Sequence, residues 1–64
     1  MEAYQQRVVD ERQELDERYG RLVRFLQSAK FEALPADEQA RMKRQAAIMA
    51  DYSEVLTERI EAIG

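Results

Sequence analysis

The side chains in this sequence that could do chemistry are arginines, tyrosines and carboxylates. Histidine and cysteine do not occur in its 64 residues. Without an imidazole there is no side chain that titrates near neutral pH in its ordinary state, and without a thiol the strongest side-chain nucleophile is missing. Carboxylates do share helical faces at Glu11 with Glu14, and at Glu54, Glu58 and Glu61. None has the Glu-x-x-His partner of a bundle metal site, so these spacings suit solvated faces or ion pairs better than a metal. The expectation is a protein with no catalytic residues, no metal and no cofactor. Arginine and tyrosine offer binding chemistry instead. A guanidinium presents forked donors to phosphate oxygens, and a phenol ring offers a flat face on which a base can stack. Tyr4, Tyr19, Tyr52, Arg7, Arg18, Arg21 and Arg24 supply both.

The elements that must position these groups are helices. In the first part of the chain Tyr4, Val8, Leu15, Leu22, Phe25, Leu26 and Ala29 recur at intervals of three, four and seven, which is helical spacing. In the second, Met42, Met49, Leu56 and Ile63 repeat every seventh residue, with Ala46, Tyr52 and Ile60 completing the stripe. Between them, Pro35 suits the first turn of a new helix, and Asp37 and Glu38 place negative charge at its positive end. The pattern predicts helices over about 2–28 and 35–63, joined by a connection over 29–34. Phe31 and Leu34 are too apolar for a bare loop, so a short helical turn should fold them over the closed end as a plug. Gly20 interrupts the first helix and is read as a point of close helix approach.

The predicted fold class is therefore all-α: one antiparallel two-helix hairpin domain over 1–64, with a short helical turn at the connection. A chain this short buries only roughly 60% of its unfolded surface, and the absence of cysteine rules out a disulfide staple. Val9, Val23, Ile48 and Val55 lie off the main stripes, so a lone hairpin should leave a second apolar set wet. Self-association into a homo-oligomeric helical bundle follows as the expectation.

Charge is unevenly spread. Residues 18–47 carry seven basic and three acidic groups, net +4, whereas residues 1–17 and 48–64 carry −4 and −3. The hairpin should be basic at its closed end and acidic at its open end, which favours head-to-tail packing of copies. A net charge of −3 argues against tracking a DNA or RNA duplex, and no apolar run spans a membrane. No signal-peptide order opens the chain, and the expected location is the cytoplasm.

Glu11 and Arg18 occupy positions where the first heptad calls for core residues, and Gln45 and Arg59 border the second stripe. Two readings stay open. One is a buried network, such as Glu11 with Arg18 or Arg59, that sets helix register. The other is a ligand cavity between protomers.

The order Tyr4-Gln5-Gln6-Arg7-Val8-Val9, Glu11, Glu14-Leu15, Leu22, Phe25-Leu26, Phe31, Leu34-Pro35, Glu38-Gln39, Gln45, Met49, Tyr52, Val55-Leu56 and Arg59-Ile60 resembles a family of very small bacteriophage proteins over nearly the whole chain. That family looks related to the helical hairpin of phage anti-CBASS and anti-Thoeris sponges, which sequester the cyclic nucleotides that signal infection in bacteria. The resemblance implies a compact homo-oligomer, with a hexamer as the expected size, that binds cyclic di- or trinucleotides in the infected host's cytoplasm without cleaving them. It also implies site residues. Tyr4 resembles the sponge tyrosine that stacks on a base, and Arg18 stands where a sponge lysine meets phosphate. Arg7 and Arg59 would add phosphate contacts. The alternative class is a phage protein-interaction module or a structural helix bundle with no nucleotide ligand.

Overall fold

A computed structural model describes residues 2–63. Three helices follow one another: α1 (Ala3–Leu26), α2 (Ala29–Glu32) and α3 (Ala36–Ile63). The long helices pack antiparallel and α2 closes one end, producing a rod of 46 × 14 × 13 Å.

Local hydrogen bonds explain where each helix starts and stops. The side-chain oxygen of Gln5 accepts from the Glu2 amide at 2.8 Å, satisfying a donor that the first turn of α1 cannot. At the other end Ser28 does two jobs. Its hydroxyl donates to the Phe25 carbonyl at 2.6 Å and accepts from the Phe31 amide at 3.2 Å, so one side chain ends α1 and caps α2. The Gln39 side chain then donates to the carbonyls of Leu34 and Glu32 at 2.8 and 3.1 Å, tying the connection to α3. Pro35 sits one residue before α3, and its carbonyl accepts the first bond of that helix from the Gln39 amide at 3.0 Å.

The expected plug is present. Phe31 is buried, Leu34 is half-buried, and the Phe31 ring meets Phe25 edge-on with centroids 6.2 Å apart. The Lys43 ammonium lies 5.9 Å from the Phe31 ring centre, close enough for a cation–π contribution. Along the rod the seam is Val8, Leu15 and Leu56, backed by Met49 and Ile60, with Leu56 wholly enclosed.

Several expectations need correction. Tyr4 and Tyr52, read as stripe residues, are 57% and 43% exposed. One neighbouring helix covers only a narrow seam, and both rings lie beyond its flank. Val9 and Val23, read as wet, are half-buried, whereas Ile48 and Val55 are exposed as anticipated. Gly20 does not mark a close approach within the hairpin, because a Cβ there would meet only the Arg24 guanidinium at 3.9 Å. The register network is also missing: no charged side chain is buried among the described residues, and Glu11 pairs with neither Arg18 nor Arg59. Register instead draws on the Ser53 hydroxyl, which donates to the Asp16 carboxylate across the two helices at 2.6 Å.

Candidate functional site

The Asp16–Ser53 bond also orients every other residue on the rod. Seen from its N-terminus, a helix turns clockwise by about 100° per residue, so Asp16 lies about 100° clockwise of Leu15 and Ser53 about 60° clockwise of Leu56. These two side chains meet. The clockwise flanks of α1 and α3 therefore share one edge of the hairpin, and the anticlockwise flanks share the other. Tyr4 and Arg7 lie anticlockwise of Val8, Glu11 and Arg18 lie anticlockwise of Val8 and Leu15, and Ile48, Tyr52, Val55 and Arg59 lie anticlockwise of Leu56. All four residues singled out from the sequence, Tyr4, Arg7, Arg18 and Arg59, thus fall on one edge.

That edge is the open one. Tyr4, Arg7, Arg18 and Arg59 are all exposed, as are Ile48, Tyr52 and Val55. Two acids lie among them, half-buried Glu11 and exposed Glu14, the latter about 100° anticlockwise of Leu15. The opposite edge carries the Asp16–Ser53 bond, half-buried Val9 and Val23, and buried Ala46.

Level along the rod divides the candidates. At about 1.5 Å per residue, Tyr4 and Arg18 are about 21 Å apart on α1. Measured from the Asp16–Ser53 level, Arg18 and Tyr52 stand within about 2 Å of each other along the axis, while Arg59 falls between Arg7 and Glu11. Along the edge, therefore, Arg18 and Tyr52 stand at one level at mid-rod, and Arg7 and Arg59 stand near one level towards the open end, where Tyr4 follows. A single hairpin does not bring Tyr4 to Arg18.

The same edge continues towards the closed end, into residues that the sequence reading did not name as binding residues. Arg41, Arg44, Gln45, Ile48 and Met49 line a shallow groove of about 260 Å³ with an apolar floor. Arg41 is tied to its own helix, its guanidinium contacting Glu38 at 2.9 Å and Asp37 at 3.6 Å. Arg44 is exposed and enters no ion pair among the described residues. The signal for this extension was in the spacing. Residues 41, 45, 48, 52, 55 and 59 step by four and three, which draws one ridge along α3.

Chemically, the edge combines guanidinium forks with exposed rings and a strip of aliphatic carbon. It can hold phosphate oxygens and stack a base. No helix of the described residues is long and apolar enough to cross a membrane.

Neither the curated proteins nor the solved structures contain a match to the chain. A family model described as Sequestin does match, over residues 2–62. That span takes in α1, the closing turn and nearly all of α3, and the chain belongs to the Sequestin family.

Proposed function

We propose that the protein sequesters a cyclic nucleotide immune signal, a cyclic di- or trinucleotide or a related messenger, and so acts as a phage anti-defence sponge in the host cytoplasm. The observation that carries this reading is the placement of Tyr4, Arg7, Arg18 and Arg59 on one exposed edge, with Tyr52 among them. The family description, a sequestering name, agrees with it. So does the resemblance to the anti-CBASS and anti-Thoeris hairpins.

In this mechanism the protein acts by titration. Arginine forks hold the phosphates, tyrosine rings stack on the bases, and no step breaks a bond in the ligand. Arginine at position 18, where the sponges carry lysine, keeps the charge but binds phosphate as a planar fork. Copies of the hairpin assemble into a homo-oligomer, and residues too far apart on one chain are brought together by the next.

The test is a thermal-shift screen against cyclic dinucleotides, cyclic trinucleotides and cyclic ADP-ribose isomers, with linear nucleotides as controls. A ligand at 100 times its dissociation constant adds about 2.7 kcal/mol of stability. A shift confined to cyclic ligands, with the ligand recovered intact after denaturation, is the expected result. Base stacking is worth about 1–3 kcal/mol, so Tyr4→Ala should weaken binding about 5- to 150-fold. Unchanged melting with every cyclic ligand overturns the reading.

A second reading is favoured by the exposed ridge of Ile48, Tyr52 and Val55, which is the kind of strip an interaction module presents to another protein. Its signature is a stoichiometric protein partner whose binding is lost in Val55→Asp and indifferent to nucleotides.

A further inference from the structure

We propose that the α3 ridge packs antiparallel against the same ridge of a second copy, about a two-fold axis beside Tyr52, and that each end of this contact is a composite anion site. This deepens the proposal above: it rests on self-assembly, and not on the identity of the ligand.

The hairpin on its own encloses very little. Among the described residues Val8, Leu15, Phe31, Ala46 and Leu56 are the buried apolar ones, while Ile48, Tyr52 and Val55 remain 56%, 43% and 49% exposed on one line. Chains of this size without staples gain stability by covering such strips. The strip reads similarly in both directions from Tyr52: an aliphatic residue three or four positions away on each side, then a polar or cationic one at Gln45 and Arg59. An isologous contact requires that self-complementarity. In an antiparallel pair centred there, Ile48 meets Val55 of the partner subunit, and the groove floored by Ile48 and Met49 receives the aliphatic stem of Arg59 of the partner subunit.

Charge supports the antiparallel sense over the parallel one. Within α3, residues 36–47 carry three basic and two acidic groups, net +1, and residues 48–63 carry net −3, so antiparallel copies set the basic half of each α3 beside the acidic half of the other. At the rim, Arg44 comes level, within about 3 Å along the axis, with Glu58 of the partner subunit. A parallel pair would align like with like.

The ends of the contact are not neutral. Arg41 already answers to Asp37 and Glu38. Arg44 and the partner's Arg59 therefore converge on the groove, with Arg7 of the partner subunit beyond them and the partner's Glu58 and the partner's Glu11 as the acids near that level. The surplus positive charge over an apolar floor calls for an anion, and a phosphate group matches two guanidinium forks. Neither hairpin has this site alone, because on one chain Arg44 and Arg59 are fifteen residues, about 22 Å, apart.

Two measurements test the arrangement. The chain has no cysteine, so Tyr52→Cys reports directly on the axis. Under mild oxidation it should yield a covalent dimer, whereas Glu54→Cys, on the far side of α3, should not. The second is complementation with inorganic pyrophosphate as the probe. Pyrophosphate should raise the melting temperature of the wild type and leave Arg44→Gln and Arg59→Gln unmoved when each is alone. Mixing the two variants in equal amounts should restore about a quarter of the sites, since half of the dimers are mixed and each of those keeps one intact site of two. No Tyr52→Cys crosslink, or a mixture as silent as its components, overturns the proposal. Cyclic ligands binding normally in either case would leave the sponge reading standing.

Discussion

The two edges of this rod both carry aliphatic residues and have opposite fates. One carries Val9, Asp16, Val23, Ala46 and Ser53, all half-buried or buried apart from Asp16, and a hydrogen bond crosses it. The other carries Tyr4, Arg18, Ile48, Tyr52 and Val55, all exposed. α1 and α3 are rolled towards the first edge, so their shared seam covers its aliphatics and leaves those of the second free. Packing is concentrated on one side of the hairpin, and the exposed rings and guanidinium groups lie on the other. A substitution can thus be assigned to one role by its edge.

The comparison breaks most decisively at the seam on which both edges depend. Leu56 is fully enclosed, and Leu56→Ala should cost about 2–5 kcal/mol, a large share of what a domain this small possesses. Urea denaturation followed by circular dichroism measures it. A loss below 1 kcal/mol (far under the range expected for a leucine core position) would mean that the seam is not where the rod is held.

A sharper contrast comes from matching valines. Val23→Ala on the packed edge should cost about 1 kcal/mol, whereas Val55→Ala on the open edge should change hairpin stability by less than about 0.5 kcal/mol. Both belong in protein diluted until its melting no longer depends on concentration. Equal losses would erase the distinction between the edges. At higher concentration Val55→Ala should weaken self-association, and Val23→Ala should not.

Gly20 supplies a gain of comparable size to the Val23 loss. Its surroundings leave room for a Cβ, with only the Arg24 guanidinium at 3.9 Å, so Gly20→Ala should stabilise α1 by about 1 kcal/mol. A destabilised variant would show that a second copy approaches that position closely. Among the smallest effects expected is Arg41→Ala, whose two ion pairs are exposed and lie within one helix, and which should move the melting free energy by less than about 0.5 kcal/mol.

Much of the fold was legible because it is local. The heptad recurrence of Met42, Met49, Leu56 and Ile63, the break at Pro35 and the apolar pair Phe31 and Leu34 are short-range signals, and they placed both helices and the plug within one or two residues. The candidate site was legible only by residue type. Arginine and tyrosine advertised phosphate and base contacts, but their grouping depended on which flank each helix turned to its neighbour. Tyr4 and Tyr52 misled for that reason: a ring at helical spacing counts as core in the sequence, and burial depends on the roll of the helix. Arg41 and Arg44 escaped notice because cations on a helix surface are common, and only the apolar floor between them makes a groove.

By itself, then, the sequence determined the helical class, the position of the turn, the opposed charges of the two ends and the lack of imidazole and thiol chemistry. These follow from composition and from interactions within a few residues of each other. Tertiary structure decided the roll of the two helices, which set Asp16 against Ser53 and thereby placed Tyr4, Arg7, Arg18 and Arg59 together on the edge left open. The physical reason is geometric. An apolar stripe on a helix is wider than one partner helix can cover, and the packing of the seam chooses which flank is covered.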